Sequence, residues 1–140
     1  MSQDEQKAKM MERLSQSIAI SQRNEKLFFN AWKRGVQLAG EEYFTCRPHV
    51  GENLQPAESV EQAISKNQLA PDSEFIKASI GALSGGQRRF LAAMCSFYNP
   101  DWGGDLLREQ GVNGLADLSG NLDAEHLQVL ADLLISYQGW

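Results

Sequence analysis

Apolar positions along this chain recur mostly at three- and four-residue intervals, the period of an α-helix buried on one side. Over residues 3–22 the pattern is thin. Met11, Leu14 and Ile18 form a narrow stripe, flanked by Met10 and Ile20, among Gln, Lys and Glu. Such a seam suits packing along another helix better than filling a core. A heptad reading from Met11 puts Ser21 and Glu25 at core positions, which argues against a long coiled coil. A second helix is expected from Asn24 to Ala39, where Phe28, Trp32, Val36 and Ala39 keep the period and Leu27, Ala31 and Leu38 widen the face. Gly40 marks its end.

Residues 43–56 lose the helical period. Tyr43-Phe-Thr-Cys46 is β-prone but isolated, and Pro48, Gly51 and Pro56 interrupt the stretch beyond it. Two short helices are expected next, over 57–68 with Val60, Ala63 and Ile64 inward, and over 73–82 with Phe75, Ile76 and Ile80 inward. The strongest helix signal starts at Ser84: Gln87 three residues later completes a capping box, and an apolar run from Phe90 to Tyr98 comes after it. Asn99-Pro100 predicts its stop and Pro100–Gly104 a turn, because a residue before proline leaves the α region. The last helix is expected to open at Asp123, between the staple residues Leu122 and Leu127, with Leu127, Leu130, Ala131 and Leu134 buried. Together these elements predict an all-α protein. It should be a compact bundle of about five to six helices with an irregular loop around residues 43–56. The division expected is a charged amphipathic helix over 1–22 and a single helical domain over 23–140.

Leu83-Ser-Gly-Gly-Gln87 resembles the signature loop of ATP-binding-cassette proteins. Hydrolysis in that family also needs a phosphate loop ending in Gly-Lys-Ser/Thr and a metal-binding Asp on a buried strand. No Gly-Lys dipeptide occurs here, and Val129-Leu-Ala-Asp132 has helical periodicity. The match is read as coincidental. An anion-binding site remains as a candidate at Ser84, Gly85, Gly86, Arg88 and Arg89, where free amides, a positive dipole end and two guanidinium groups coincide.

The chain has 140 residues and a net charge of −5, which argues for solubility and against a general nucleic-acid coat. The charge is uneven: residues 1–35 carry +3 and residues 36–140 carry −8. Such asymmetry can join head to tail, pair two copies, or offer an acidic face to a basic partner. No apolar run approaches a membrane span, and the start lacks the pattern of a cleaved secretion signal, so a cytoplasmic setting is expected. Cys46 and Cys95 are then reduced thiols.

Little classical chemistry is present. Ser84 has Gly at 81 and 86 rather than the 82 and 86 of a nucleophile elbow, and no His-Glu-x-x-His occurs. Cys46 and His49 have the spacing of half a zinc site, with Cys95 and His126 as the remaining ligands of that type. Cys95 falls in the central helix and His126 in the first turn of the last, so no metal and no cofactor are expected, and no catalytic residue is assigned.

From Ser84 onward the order of features resembles small uncharacterised proteins of integrative and conjugative mobile elements. Gly86-Gln87-Arg88-Arg89, Phe97-Tyr98-Asn99, Gly103-Gly104, Leu115-Ala-Asp-Leu118 and Leu122-Asp123 carry the resemblance, which covers residues 84–137. It implies a mobile-element setting and a helical fold. The function expected is that of a non-enzymatic regulator or inhibitor of a host system, acting through a protein partner or a second copy of the chain. Lys7, Lys9, Met11, Arg13, Leu14 and Ile18 are the candidate partner-binding residues. The alternatives are a nucleic-acid-binding regulator using the basic N-terminal helix, and third a nucleotide-binding protein.

Overall fold

A computed structural model describes residues 2–140. The two helices expected before Gly40 are one. Helix α1 runs unbroken over Gln3–Ala39, because residues 21–25 contain no glycine or proline and nothing else that would end a helix. Ser2 caps its start by accepting from the Glu5 amide, with Asp4 and Glu5 in the positive first turn. It ends at Gly40, whose φ of 119° is open to glycine but strained for other residues. Beyond a single 3-10 turn, β1 (Phe44–Thr45) pairs antiparallel with β2 (Ala70–Pro71), Phe44 opposite Pro71 and Thr45 opposite Ala70. The remaining helices are α2 (Ser73–Ser79), α3 (Gly85–Tyr98), α4 (Pro100–Glu109), α5 (Leu115–Ser119) and α6 (Ala124–Ser136). The chain is all-α but for that one short strand pair.

Helix α3 is the centre. Phe90 through Cys95 are six consecutive buried residues, so the helix is covered all round. On one side Phe90 and Met94 pack with Phe28, Trp32 and Val36 of α1 and Leu133 of α6. On the other, Leu91 and Cys95 meet Tyr43, Ile76, Ile80 and Leu106. The capping box forms as the sequence indicates: Ser84 accepts from the Gln87 amide and the Gln87 side chain from the Ser84 amide.

Other sequence expectations are corrected as well. Residues 57–68 form no α-helix; they are turns followed by a 3-10 turn over Lys66–Leu69. Lys33 of α1 takes two carbonyls a helix there would use, donating from Nζ to Glu61 O and Ala63 O, and just beyond, Trp32 Nε1 donates to Leu69 O. Val60 and Ala63 are buried in this irregular form, whereas Ile64 is exposed. Pro100–Gly104 is the start of α4 rather than a turn. Asn99 Oδ1 accepts from the Asp101 and Trp102 amides, and Pro100 at the first position gives up no bond. Phe75 is exposed although Ile76 and Ile80 are buried. In α6 the buried residues are Val129, Leu130, Leu133 and Ser136, so Leu134 faces solvent.

Candidate functional site

The fold leaves five turns of α1 beyond the rest of the molecule. Residues 2–20 are all exposed, and Met10, Met11, Leu14 and Ile18 are each at least half accessible. At 3.6 residues per turn, residues 18 apart lie on one line parallel to the helix axis. Met10, Met11, Leu14 and Ile18 therefore stand in line with Phe28, Phe29, Trp32 and Val36. The free stripe lies on the same face that binds the core, separated from it by Ser21, Gln22 and Glu25. Helix α6 runs antiparallel along that face, bringing Asp132 to Arg34 at 2.6 Å and Tyr137 to Phe28, and it ends at Ser136. Past that point residues 22–26 still border Ile64–Lys66 and the chain's last residues, and only residues 2–20 are exposed throughout. These turns gain nothing from packing, and Ser15, Ser17, Ile18, Ile20 and Ser21 lower their helix propensity.

At the foot of the free segment lies a cleft of about 390 Å³, between Glu25, Lys26 and Phe29 of α1 and Ile64, Ser65 and Lys66. Lys66 Nζ lies 4.9 Å from the Trp140 ring centre and donates to Gly139 O. Burial holds its pKa below the ordinary lysine value, while the Glu25 carboxylate acts the other way. This cationic cleft was not legible in the sequence, because Lys66 and α1 meet only in the fold.

The seven basic residues of α1 do not form one strip. At roughly 100° per residue, Lys7 falls on the apolar line and Lys9 and Arg13 on the opposite side. Lys33 is engaged with the carbonyls of Glu61 and Ala63, and Arg34 with Asp132. Lys7, Lys9 and Arg13 have no ion-pair partner among the described residues.

The anion-site candidates sit together at the start of α3, and neighbouring groups approach two of them. Arg89 Nε donates to Gln110 O at the end of α4, and a Cβ on Gly86 would meet Asn121 O at 3.3 Å. A carbonyl thus faces Gly86, while the Arg89 guanidinium lies beside Gly85, 3.1 Å from where a Cβ would sit. Ser84 also lines a small cleft with Asp123 and His126. His126 Nδ1 is 2.6 Å from Asp123 Oδ1, but no hydrogen bond joins Ser84 to the imidazole, and the Ser84 oxygen caps its own helix. That ring instead stands edge-on to Phe90, at 4.6 Å between centroids. The sheet contains nothing resembling a phosphate-loop strand, and Asp132 lies in α6. Among the described residues no three His, Cys, Asp or Glu side chains are grouped to hold a metal ion. Burial pushes the Cys95 thiol well up, which makes it a core residue without nucleophilic character. Among the described residues no helix is long and apolar enough to cross a membrane.

Comparison with protein-family models, with curated proteins and with solved structures finds no match to this chain.

Proposed function

We propose that this chain is a non-enzymatic interaction protein, and that the free half of α1 is its docking element. The single observation behind this reading is that the face of α1 that binds the core carries a second apolar cluster, Met10, Met11, Leu14 and Ile18, exposed beyond a polar break at Ser21, Gln22 and Glu25. Burying it removes apolar area from water. Lys9 and Arg13 lie away from the stripe and set the charge of the docked helix's outer face. The setting proposed is a cytoplasmic regulator carried by a mobile element, on the resemblance of residues 84–137. Scattered basic residues on α1 and the −8 charge of residues 36–140 favour a protein partner over nucleic acid.

The test compares the native chain with Leu14→Glu, Ile18→Glu as baits in extract from a host cell, after circular dichroism shows that both fold. The reading requires partners that the native chain holds and the double variant loses. Identical captures from the two baits would overturn it.

A further inference from the structure

Trp140 sits in a cage fitted to an indole. We propose that this cage is a binding pocket for a Gly-Trp segment of a partner peptide, and that residues 137–140 are a strap that fills it from within the same chain. The site is separate from the free half of α1.

The contacts name the ligand. Trp140 Nε1 donates to Asn67 Oδ1 at 3.0 Å. The rings of Trp32, Tyr98 and Phe28 stand steeply inclined to the indole, with centroids at 4.8, 5.0 and 6.2 Å, the arrangement aromatic pairs prefer. Lys66 Nζ lies over the indole at 4.9 Å and donates to Gly139 O at 3.1 Å. One ammonium thus holds both the ring and the carbonyl before it. A phenyl ring would fill the same space, but it has no N–H for the Asn67 oxygen.

The cage is set without the strap. Asn67 is 4% exposed, and its Nδ2 donates to Glu52 Oε1 at 3.3 Å, which leaves Oδ1 turned to the indole. Its backbone is pinned as well, the amide donating to Ser65 Oγ and the carbonyl accepting from Arg47 N. Trp32 is fixed by its bond to Leu69 O, and Tyr98 closes α3. None of these bonds uses residues 137–140. If the strap leaves, the Asn67 oxygen loses its donor, and an incoming indole restores it.

The strap itself is lightly held. Helix α6 ends at Ser136, and among the described residues no backbone group of residues 138–140 bonds to another backbone group. Gly139, at a φ of 98°, makes the turn that delivers Trp140, which is why the segment recognised is Gly-Trp. Residues 137–139 are exposed and Trp140 is partly so. Gly139 borders the cleft of about 390 Å³, and Trp140 lines a second of about 720 Å³ with Arg47, Tyr98 and Asn99. A peptide entering in place of the strap therefore has open space on either side. Segments with so few bonds open ahead of the whole fold.

Indole proton exchange in the native chain, followed by NMR, tests the strap. The Nε1 protons of Trp32 and Trp140 are both hydrogen-bonded, yet that of Trp140 should exchange at least about tenfold faster, because local opening frees it alone. Equal rates would overturn the inference. Calorimetric titration with the peptide Tyr-Gln-Gly-Trp tests the pocket. The peptide should bind the Trp140→Ala chain, and bind the native chain at least about tenfold more weakly, since there the site is open for only a fraction of the time. Tyr-Gln-Gly-Phe should bind Trp140→Ala at least about tenfold more weakly than the Trp peptide, for want of the N–H. Adding Lys66→Met to Trp140→Ala should weaken binding of the Trp peptide by about tenfold. No binding to Trp140→Ala that circular dichroism shows to be folded, or equal binding of the Trp and Phe peptides, would sink the pocket. Loss of the fold in Trp140→Ala would make the ring a part of the core and defeat the inference too.

Discussion

Gly103 of α4 lies against Ser96 of α3 with no room for a side chain between them: an added Cβ would sit 2.5 Å from the Ser96 Cα. This contact lets α4 fold back directly on α3 after Asn99, and both obstructing groups are backbone. Gly103→Ala should therefore cost at least about 1–3 kcal/mol, as overpacking does. Gly104, one residue on, meets nothing closer than the tip of Arg108 at 3.6 Å. Gly104→Ala should be neutral, or stabilising by up to about 1 kcal/mol. Urea denaturation of the two variants measures the contrast, and equal midpoints would mean that α3 and α4 are not in close contact.

Leu14 and Trp32 occupy one line of α1, yet Leu14 is 55% exposed and Trp32 is 0% exposed. Trp32→Ala should cost about 3–5 kcal/mol, through the cavity and the orphaned Leu69 carbonyl. Phe90→Ala, at the heart of α3, should cost a similar amount. Leu14→Ala should stay within about 0.5 kcal/mol when measured at a concentration where the chain is monomeric. A large loss from Leu14→Ala in dilute protein would place the free half of α1 on its own body.

Ser84 has a capping role that predicts its substitutions. Ser84→Ala should cost about 1 kcal/mol, and Ser84→Asp should recover most of it, since a carboxylate caps equally well at a positive helix end. Saturating Mg-ATP should leave the melting curve unmoved, whereas a ligand at a hundred times its Kd would add about 2.7 kcal/mol. A rise in melting temperature that Ser84→Ala abolishes would restore the nucleotide reading.

Acid should weaken the fold through three carboxylates. Backbone amides of Asn113 and Gly114 hold Asp117 below the usual carboxylate range, the His126 amide and ring do so for Asp123, and the Arg34 guanidinium does so for Asp132. A depressed native value means that the folded state binds fewer protons than the unfolded one. Their contribution is thus complete above about pH 4 and is lost as the pH falls through the native values. All three are at least partly open to solvent, so the loss is gradual. A chain carrying Asp117→Asn, Asp123→Asn and Asp132→Asn should lose less stability than the native chain between pH 5 and pH 2, as read by denaturation midpoints across that window. Parallel losses in the two chains would show that other groups carry the acid response.

Local chemistry made α3 legible from its letters: Ser84 and Gln87 must satisfy each other at a helix start, and Asn99-Pro100 must end one. The same dipeptide also begins α4, because a capping side chain and a proline that lacks an N–H suit a first turn as well as they suit a stop. The apolar line from Met10 to Val36 was present in the sequence too, since an eighteen-residue spacing fixes it on any straight helix. Where that line is buried was not. Only packing decides that α6 ends at Ser136 and leaves Leu14 in water. Residues 57–68 show the opposite case, for Val60 and Ala63 keep a helical spacing while Lys33, far away in the chain, claims carbonyls a helix would need. The sequence determines what each segment can do with its own neighbours in the chain. The tertiary structure decides which backbone groups and which apolar faces find distant partners, because those bonds cross spans that no local period encodes.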